Sequence, residues 1–452
     1  MAALWLRAVW IRLGYEWRQL GGLSQVLRRL NAIMRSEGRS GLQRRFGNLT
    51  RVSSASGNAG QGLVDQTHKT GDRPGVMLIG HPFGVLGVGE NLRATAIALQ
   101  DAEIPFHIRD VLQSPELPCT QLHDFALQEK VTKRDAGYSV NLFCLNANEM
   151  DMALSYLGPE AFRDRYGIGM WMWELSDFPD KWCGSFRYVR EIWAQSRFVQ
   201  EAIAKKSPVP VVWMPQVTEP GPADPELAYS LGVPRDSFNF LFFFDFSSYV
   251  ARKNPQAVIE AFKRAFAEGR DFPVHLIVKM NGVQRHPKAY FEFMEACRGL
   301  DEGILFIDRN LSDREIKGLI AGCDAFVSLH RSEGFGRGIA EAMYYGKPTI
   351  VTAYSGNMDF TDRSNSCLID YQLRRLNEGD YPFARGQIWA DPDILHAADW
   401  MYRLHADPGL CAGIGARAAQ SIRSTHGAAV VGRRMHERLS SLGLIDANAI
   451  VN

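Results

Sequence analysis

The sequence predicts two doubly wound, Rossmann-like α/β domains facing each other across a cleft, with an amphipathic helical extension at the N-terminus. Three observations carry this expectation. At 452 residues the chain is long for one core, so two domains with added segments are expected. From residue 76 a strand–loop–helix pattern repeats, pauses at a stretch holding Pro220, Pro222 and Pro225, and restarts at 238. In each series the first apolar strand runs into a loop that opens a helix. The expected divisions are an amphipathic segment at 1–35, a flexible linker at 36–74, a first domain at 75–218 and a second at 219–392. Helices at 393–452 are expected to pack back across the cleft.

The elements follow in order. Over residues 2–35, Leu6, Trp10, Leu13, Trp17, Leu20, Leu27, Leu30 and Met34 recur at helical spacings, with Arg7, Arg12, Arg18, Arg28, Arg29 and Arg35 interspersed. Trp and Leu against arginine suit a helix lying on anionic lipid. They equally suit packing on the protein's own body or on a partner, and Gly21-Gly22 interrupts the pattern. Residues 36–74, rich in Ser, Gly, Arg and Asn, lack periodicity. VMLIG (76–80) is a short buried strand, followed by a glycine loop and a helix over 90–102. Further strands are expected at 104–111, 138–146, 167–173, 191–195 and 209–214. The second series has strands at 238–246, 272–280, 304–308, 325–329 and 348–353. Its helices lie near 255–267, 288–298, 312–321 and 337–345, and residues 393–443 read as helices without strands.

Composition narrows the function. A net charge of +1 argues against the whole chain binding nucleic acid, but residues 1–70 carry +8 and leave −7 for the rest. A basic head on an acidic body suggests a separate partner for the head. Seven scattered cysteines without a CxxC pair argue against a zinc framework and a disulfide scaffold, so a reducing cytoplasm is expected. No apolar run reaches the roughly 18 residues of a membrane span. Arg7, Arg12 and Glu16 spoil a secretory signal.

The most informative stretch is SLHRSEGFGRGIAEAMYYGK (328–347). It ends a strand, passes a glycine-punctuated loop and enters a helix. A helix N-terminus offers free N–H groups and partial positive charge to a phosphate or diphosphate. Glu333 precedes that helix as an acceptor for hydroxyls, and Glu341 lies inside it. Anion donors beside hydroxyl acceptors suit a sugar attached to a nucleotide diphosphate. The string from Glu333 to Glu341 resembles the E-x7-E motif of the retaining glycosyltransferases of family 4, whose two-domain architecture is called GT-B.

The resemblance covers about residues 75–440 and has functional implications. Glu333 would hold sugar hydroxyls and Glu341 the ribose. The N–H groups of Gly334, Phe335, Gly336 and Arg337 would face the diphosphate. The glycine loop with Gly87 and Gly89, after the first strand, would approach the same diphosphate. Residues 307–309, with Asp308, fall where the family contacts the base, and uridine and guanosine both stay open. After strand 238–246 the family carries an arginine and, about five residues on, a lysine. Lys253 matches the lysine, whereas Ser248 stands at the arginine position and Arg252 is the candidate substitute. Two tryptophan-rich segments, at 169–182 and 191–199, resemble a bacterial polysaccharide-assembly branch. There Glu174 and His330 are candidates for the acceptor side, with core roles as the alternative. Trp171 and Trp173 are expected in the core.

The one D-x-D string, Asp391-Pro392-Asp393, precedes a helix and reads as an N-cap with a first-turn proline. No metal and no cofactor are expected, the nucleotide sugar being the donor substrate. The implied activity is retaining hexosyl transfer to a carbohydrate or lipid-linked acceptor, in surface polysaccharide or glycoconjugate synthesis. Two alternatives stand beside it. One is another GT-B nucleotide-sugar enzyme such as an epimerase; the other is a non-catalytic nucleotide-sugar-binding subunit. A paired-carboxylate glycosidase would leave the glycine loop and the cations without a task.

Overall fold

The computed structural model describes residues 73–84, 87–111, 126–266, 273–298 and 303–446. The amphipathic segment at 1–35 and the linker up to residue 72 lie outside the described residues. Arg73 and Pro74, counted with that linker from sequence, belong to the first strand.

The first domain comprises β1 (Arg73–Gly80), α1 (Gly87–Asp101), β2 (Phe106–Asp110), β3 (Tyr138–Cys144), α2 (Met150–Leu157), β4 (Tyr166–Gly169), β5 (Glu191–Ala194), α3 (Arg197–Ala204) and β6 (Val211–Trp213). Its six strands run parallel in the order β2-β1-β3-β4-β5-β6. Every residue of β3 is buried, so its apolar residues supply both faces. Val140, Leu142 and Cys144 join one core with Leu92, Ala96 and Leu99 of α1. Phe143 joins the other with Met150 and Ala153 of α2, Trp171 and Trp173.

After α4 (Glu226–Ser230) the second domain comprises β7 (Phe238–Asp245), α5 (Val250–Lys253), α6 (Pro255–Ala265), β8 (Val274–Asn281), α7 (Pro287–Cys297), β9 (Ile304–Ile307), α8 (Asp313–Gly322), β10 (Ala325–Ser328), α9 (Arg337–Tyr344), β11 (Thr349–Thr352) and β12 (Cys367–Ile369). These strands are also parallel, in the order β12-β11-β10-β7-β8-β9. The order reverses between β7 and β10. Such a switch point opens a crevice at the carboxyl ends of the two strands, where doubly wound sheets bind ligands.

Three strands were not expected from sequence: β12, and the antiparallel hairpin of β13 (Tyr371–Arg375) and β14 (Ile388–Pro392). β12 has three residues, too few for a period to register. The hairpin is joined by residues 376–387, without the tight-turn dipeptide that announces a short hairpin.

The chain ends in α10 (Ile394–Ala406), α11 (Pro408–His426) and α12 (Ala428–Ser441). α12 returns to the first domain. Gly432 packs where a Cβ would meet Ala98 O at 2.5 Å. Arg438 pairs with Glu191 of β5, whose side chain is fully buried. Ser139 Oγ of β3 donates to Leu444 O at 2.9 Å.

Candidate functional site

Two loops leave the switch point side by side. The first follows β7, turns through Tyr249 at φ 63°, and forms the short α5. Asn254 then takes a left-handed conformation, which asparagine tolerates better than most residues, and Pro255 opens α6. Asn254 Nδ2 donates to Leu329 O at 3.1 Å, so this loop is tied to the end of β10. The second loop is residues 329–336. Arg331 fastens it, since its N–H donates to Arg252 O at 2.8 Å and its Nη1 to Ala251 O at 2.6 Å. Glu333 is fixed through its own backbone: its N–H donates to Ser355 Oγ at 2.8 Å, and its carbonyl accepts from Gly356 N at 2.9 Å.

These anchors place Glu333 between two cations. Its carboxylate is 2.9 Å from Arg252 Nη1 and 2.5 Å from Lys253 Nζ, and the residue is 8% exposed. Burial works against its charge, but Arg252 and Lys253 outweigh that and hold the carboxyl well below the carboxylate range. Burial also pulls Lys253 below the ordinary lysine value, against the attraction of Glu333. Arg252 is buried as well and donates to Ser332 O at 2.9 Å; burial opposes its charge, and Glu333 more than compensates, raising its value. Thus Arg252 occupies the site, while Ser248 contributes a carbonyl 3.3 Å from Arg252 Nε.

The first domain closes on this loop. Ser332 Oγ donates to Glu174 O, and Ser196 Oγ donates to Gly334 O at 2.5 Å. Glu174 Oε2 accepts from Tyr381 Oη at 2.6 Å, and Tyr381 comes from the hairpin connection. The Arg252 guanidinium lies 5.9 Å from the Tyr381 ring centroid. Glu174 is near enough to add to the field at Arg252 and Lys253. The two domains therefore meet at the Glu333 cluster.

The glycines divide by what they approach. At Gly334 a Cβ would stand 2.8 Å from Trp173 O, and at Gly338 2.6 Å from the Phe243 ring. Both serve close packing within the protein. Gly336, at φ 98°, turns the chain into α9. Ile339 N and Ala340 N bond back to Gly336 O. Phe335 is a core residue, its ring 4.9 Å from Phe360, so only its backbone faces the turn. In the first domain, a Cβ on Gly89 would meet Gly84 O at 2.2 Å, whereas Gly87 has open space around it. Buried Arg93 ties this loop together through Pro82 O at 2.6 Å and Gly84 O at 3.1 Å.

Glu341 lies one helix turn from Arg337, at 3.5 Å. Burial, with Glu90 of α1 adding repulsion, pushes its carboxyl up to about 7 despite Arg337. The helix starts α1 and α9 therefore share one electrostatic neighbourhood. Arg337 Nη2 is buried without a hydrogen-bond acceptor among the described residues.

Two sequence candidates stand apart. His330 is completely buried. Its Nδ1 lies 3.0 Å from Ser328 Oγ and its Nε2 3.0 Å from Asn357 Oδ1, so it supports the Glu333 loop from behind and offers nothing to an acceptor. Asp308 follows β9, two strands from β7, where it is exposed and accepts from Tyr290 Oη at 3.1 Å. It follows the edge strand of the second sheet and its hydrogen bond goes to Tyr290, so it is not among the groups gathered at Glu333. Trp171 and Trp173 are buried in the core. Asp393 caps α10 through Leu395 N and His396 N, while Pro392 closes β14 instead of entering the helix. Asp391 pairs with Arg331 at 2.9 Å and with Arg374 at 3.4 Å. Among the described residues no group of three His, Cys, Asp or Glu side chains is placed to hold a metal ion. No helix among them is long and apolar enough to cross a membrane. Sequence reasoning missed Tyr381; its only local signal is the aromatic–proline–aromatic run Tyr381-Pro382-Phe383 between Gly379 and Gly386.

Residues 239–368 match the family model described as "Glycosyl transferases group 1". That segment holds Arg252, Lys253, Glu333 and Glu341. No curated protein matches the chain in sequence. Solved structures share the two-domain GT-B fold. Anabaena HepE, solved with UDP and glucose, is 16% identical, with 82% of this chain and 100% of that one covered at a TM-score of 0.57. A sucrose-phosphate synthase from Thermosynechococcus elongatus is 13% identical, covering 82% and 99% at 0.59. A glycosyltransferase from Rickettsia africae is 14% identical, covering 82% and 99% at 0.56.

Proposed function

We propose that this chain is a retaining glycosyltransferase. It would transfer a hexose from a nucleotide-diphosphate sugar to a carbohydrate or lipid-linked acceptor in surface polysaccharide or glycoconjugate synthesis. The observation that carries the reading is Glu333 held between Arg252 and Lys253 at the switch point. Arg252 and Lys253 are the cations a diphosphate would meet there, with Glu333 as their one ion-pair partner among the described residues and Glu174 further off. The bound UDP of a structural neighbour supports a nucleotide in this fold.

The roles follow from the chemistry. As the glycosidic bond breaks, negative charge grows on the leaving diphosphate and positive charge on the anomeric carbon. Lys253, Arg252 and the N–H groups entering α9 stabilise the first. Fixed donors of this kind contribute roughly 3–4 kcal/mol each to a transition state. Glu333 holds sugar hydroxyls, Glu341 the ribose, and Asp308 stands at the base end. Glu174 faces the acceptor side. These groups neutralise the diphosphate without a metal, and Asp391 and Asp393 are already engaged. Residues 1–35 would hold the enzyme on the inner face of the cytoplasmic membrane.

A thermal-shift screen of the full chain against nucleotide sugars tests the reading. A ligand at a hundred times its dissociation constant stabilises by about 2.7 kcal/mol. Transfer that survives excess EDTA is expected. The proposal is overturned if no nucleotide sugar shifts the transition.

A further inference from the structure

Lys279, two residues before the end of β8, is among the largest fully buried side chains of the protein. Its Nζ donates to Met280 O at 2.8 Å and to Asn281 Oδ1. Burial pulls the amine down to about 8, while Asp245 and Asp308 work to raise it, so it is an ammonium at neutral pH. An ammonium has three donors and no acceptor. Only the oxygen of the Asn281 amide can therefore face it. The orientation of that amide, which an isolated asparagine leaves open, is thereby set. Oδ1 turns in to Lys279, and the Nδ2 amine is directed away from it. Asn281 is partly exposed, and its Nδ2 has no acceptor among the described residues.

The position narrows what the amine meets. Asn281 is in register with Asp245, the last residue of β7, and the loop that carries Arg252 and Lys253 leaves that same strand end. The backbone beside the amide is tightly turned. Gly282 has φ 75°, and Arg285 N and His286 N both donate to Gly282 O at 3.0 Å. The neighbouring charges cancel. Lys279 and Arg285 stand against Asp245 and Asp308, with Arg285 Nη2 3.3 Å from Asp245 Oδ2. Burial lowers His286, which adds no charge at neutral pH. A balanced cluster suits a neutral part of a ligand better than a phosphate. A hydroxyl pairs with either end of an amide, so a locked amide gives no selection among hydroxyls. It does select among bases. Uracil and guanine present a carbonyl, O4 or O6, where cytosine and adenine present an amine, N4 or N6.

We propose that Asn281, oriented by Lys279, reads the base of the donor nucleotide and selects a carbonyl over an amine at its edge. The inference rests on the glycosyltransferase reading, with Arg252 and Lys253 at the diphosphate, and adds the class of base. Asn281 is the group that touches the ligand; Lys279 is a positioning residue.

The test is isothermal titration calorimetry of the full chain with UDP against CDP and GDP against ADP. In at least one pair the carbonyl base should bind about tenfold more tightly, the discrimination of one well-placed contact to a base edge. Asn281→Asp replaces the outward amine by a second carboxylate oxygen and should reverse that preference. The same change gives Lys279 an ion-pair partner, so the Tm should stay level or rise, whereas a merely structural amide would lose stability and leave the preference alone. Lys279→Met frees the amide to turn and should bring the preference close to unity; it decides alone if Asn281→Asp does not fold. Wild-type binding without a preference, or a preference unchanged in either folded variant, refutes the assignment and leaves the glycosyltransferase reading standing. Failure of all four nucleotides to bind sinks that reading and the assignment with it.

Discussion

Replacing Glu333 by glutamine should destabilise the free protein and tighten its grip on a nucleoside diphosphate. The side chain keeps its shape but no longer balances Arg252 and Lys253. Removing one partner of a buried ion pair costs about 3–5 kcal/mol, because the other is left uncompensated. The lower end applies here. The Lys253 side chain is 23% exposed and can lean toward water, and Glu174 contributes to the field at both cations. A loss of about 3 kcal/mol corresponds to a fall in Tm of roughly 6–12 °C for a domain of this size. A diphosphate restores the missing counter-charge without having to displace Glu333. UDP or GDP should therefore bind Glu333→Gln about tenfold more tightly, a gain of about 1.4 kcal/mol. Sugar transfer should nevertheless collapse. Acid melts give a second check. Glu333 has a depressed pKa in the folded state, so its contribution is present above the unfolded value of about 4.3 and is lost as pH falls below it. The glutamine variant should lack that part of the acid loss. Differential scanning fluorimetry with and without each nucleotide measures all of this. A free variant melting within 2 °C of wild type, or a diphosphate bound no more tightly than before, would refute the reasoning.

Lys253→Ala should lower kcat by roughly two to three orders of magnitude with a smaller change in donor Kd, since the attraction grows as the diphosphate leaves. Unchanged kcat at saturating donor would sink this role, and a comparable loss in Arg252→Ala would place both cations in it. Glu341, raised to about 7, takes up a proton on folding, so its charge destabilises the folded state. Stability should decline between about pH 4.3 and pH 7, and Tm measured across that window should show the decline flattened in Glu341→Gln. Deleting residues 1–70 should abolish sedimentation with anionic vesicles while sparing donor binding; a truncated protein that still sediments would move the anchor elsewhere. That attraction should weaken with salt.

The alternating pattern made both sheets legible because their central strands, such as β1, β3, β7 and β8, are buried apolar runs. The Glu333 motif was legible because its residues are consecutive. What stayed hidden depends on distance along the chain. Nothing near Glu174 announces that Tyr381 will donate to it across 207 positions. His330 has a ligand's chemistry, and only Asn357, 27 residues later, reveals it as part of the core. Two glycines of the motif clear Trp173 O and the Phe243 ring, partners that the motif itself does not encode.

The return of α12 to the first domain bears on how the protein is made. Glu191 enters a fully buried position in β5, but its partner Arg438 lies 247 residues later. At about 5–20 residues per second, roughly 12–50 s of synthesis separate the two. Through that interval the earlier-made half holds the Glu191 carboxylate with Trp193 Nε1 as a donor but without its arginine, and leaves the apolar side of α1 uncovered. The half that emerges first is thus finished last. A chain ending near residue 427 would keep every helix that packs on the second domain and lack α12, leaving the first domain a ready client for chaperones.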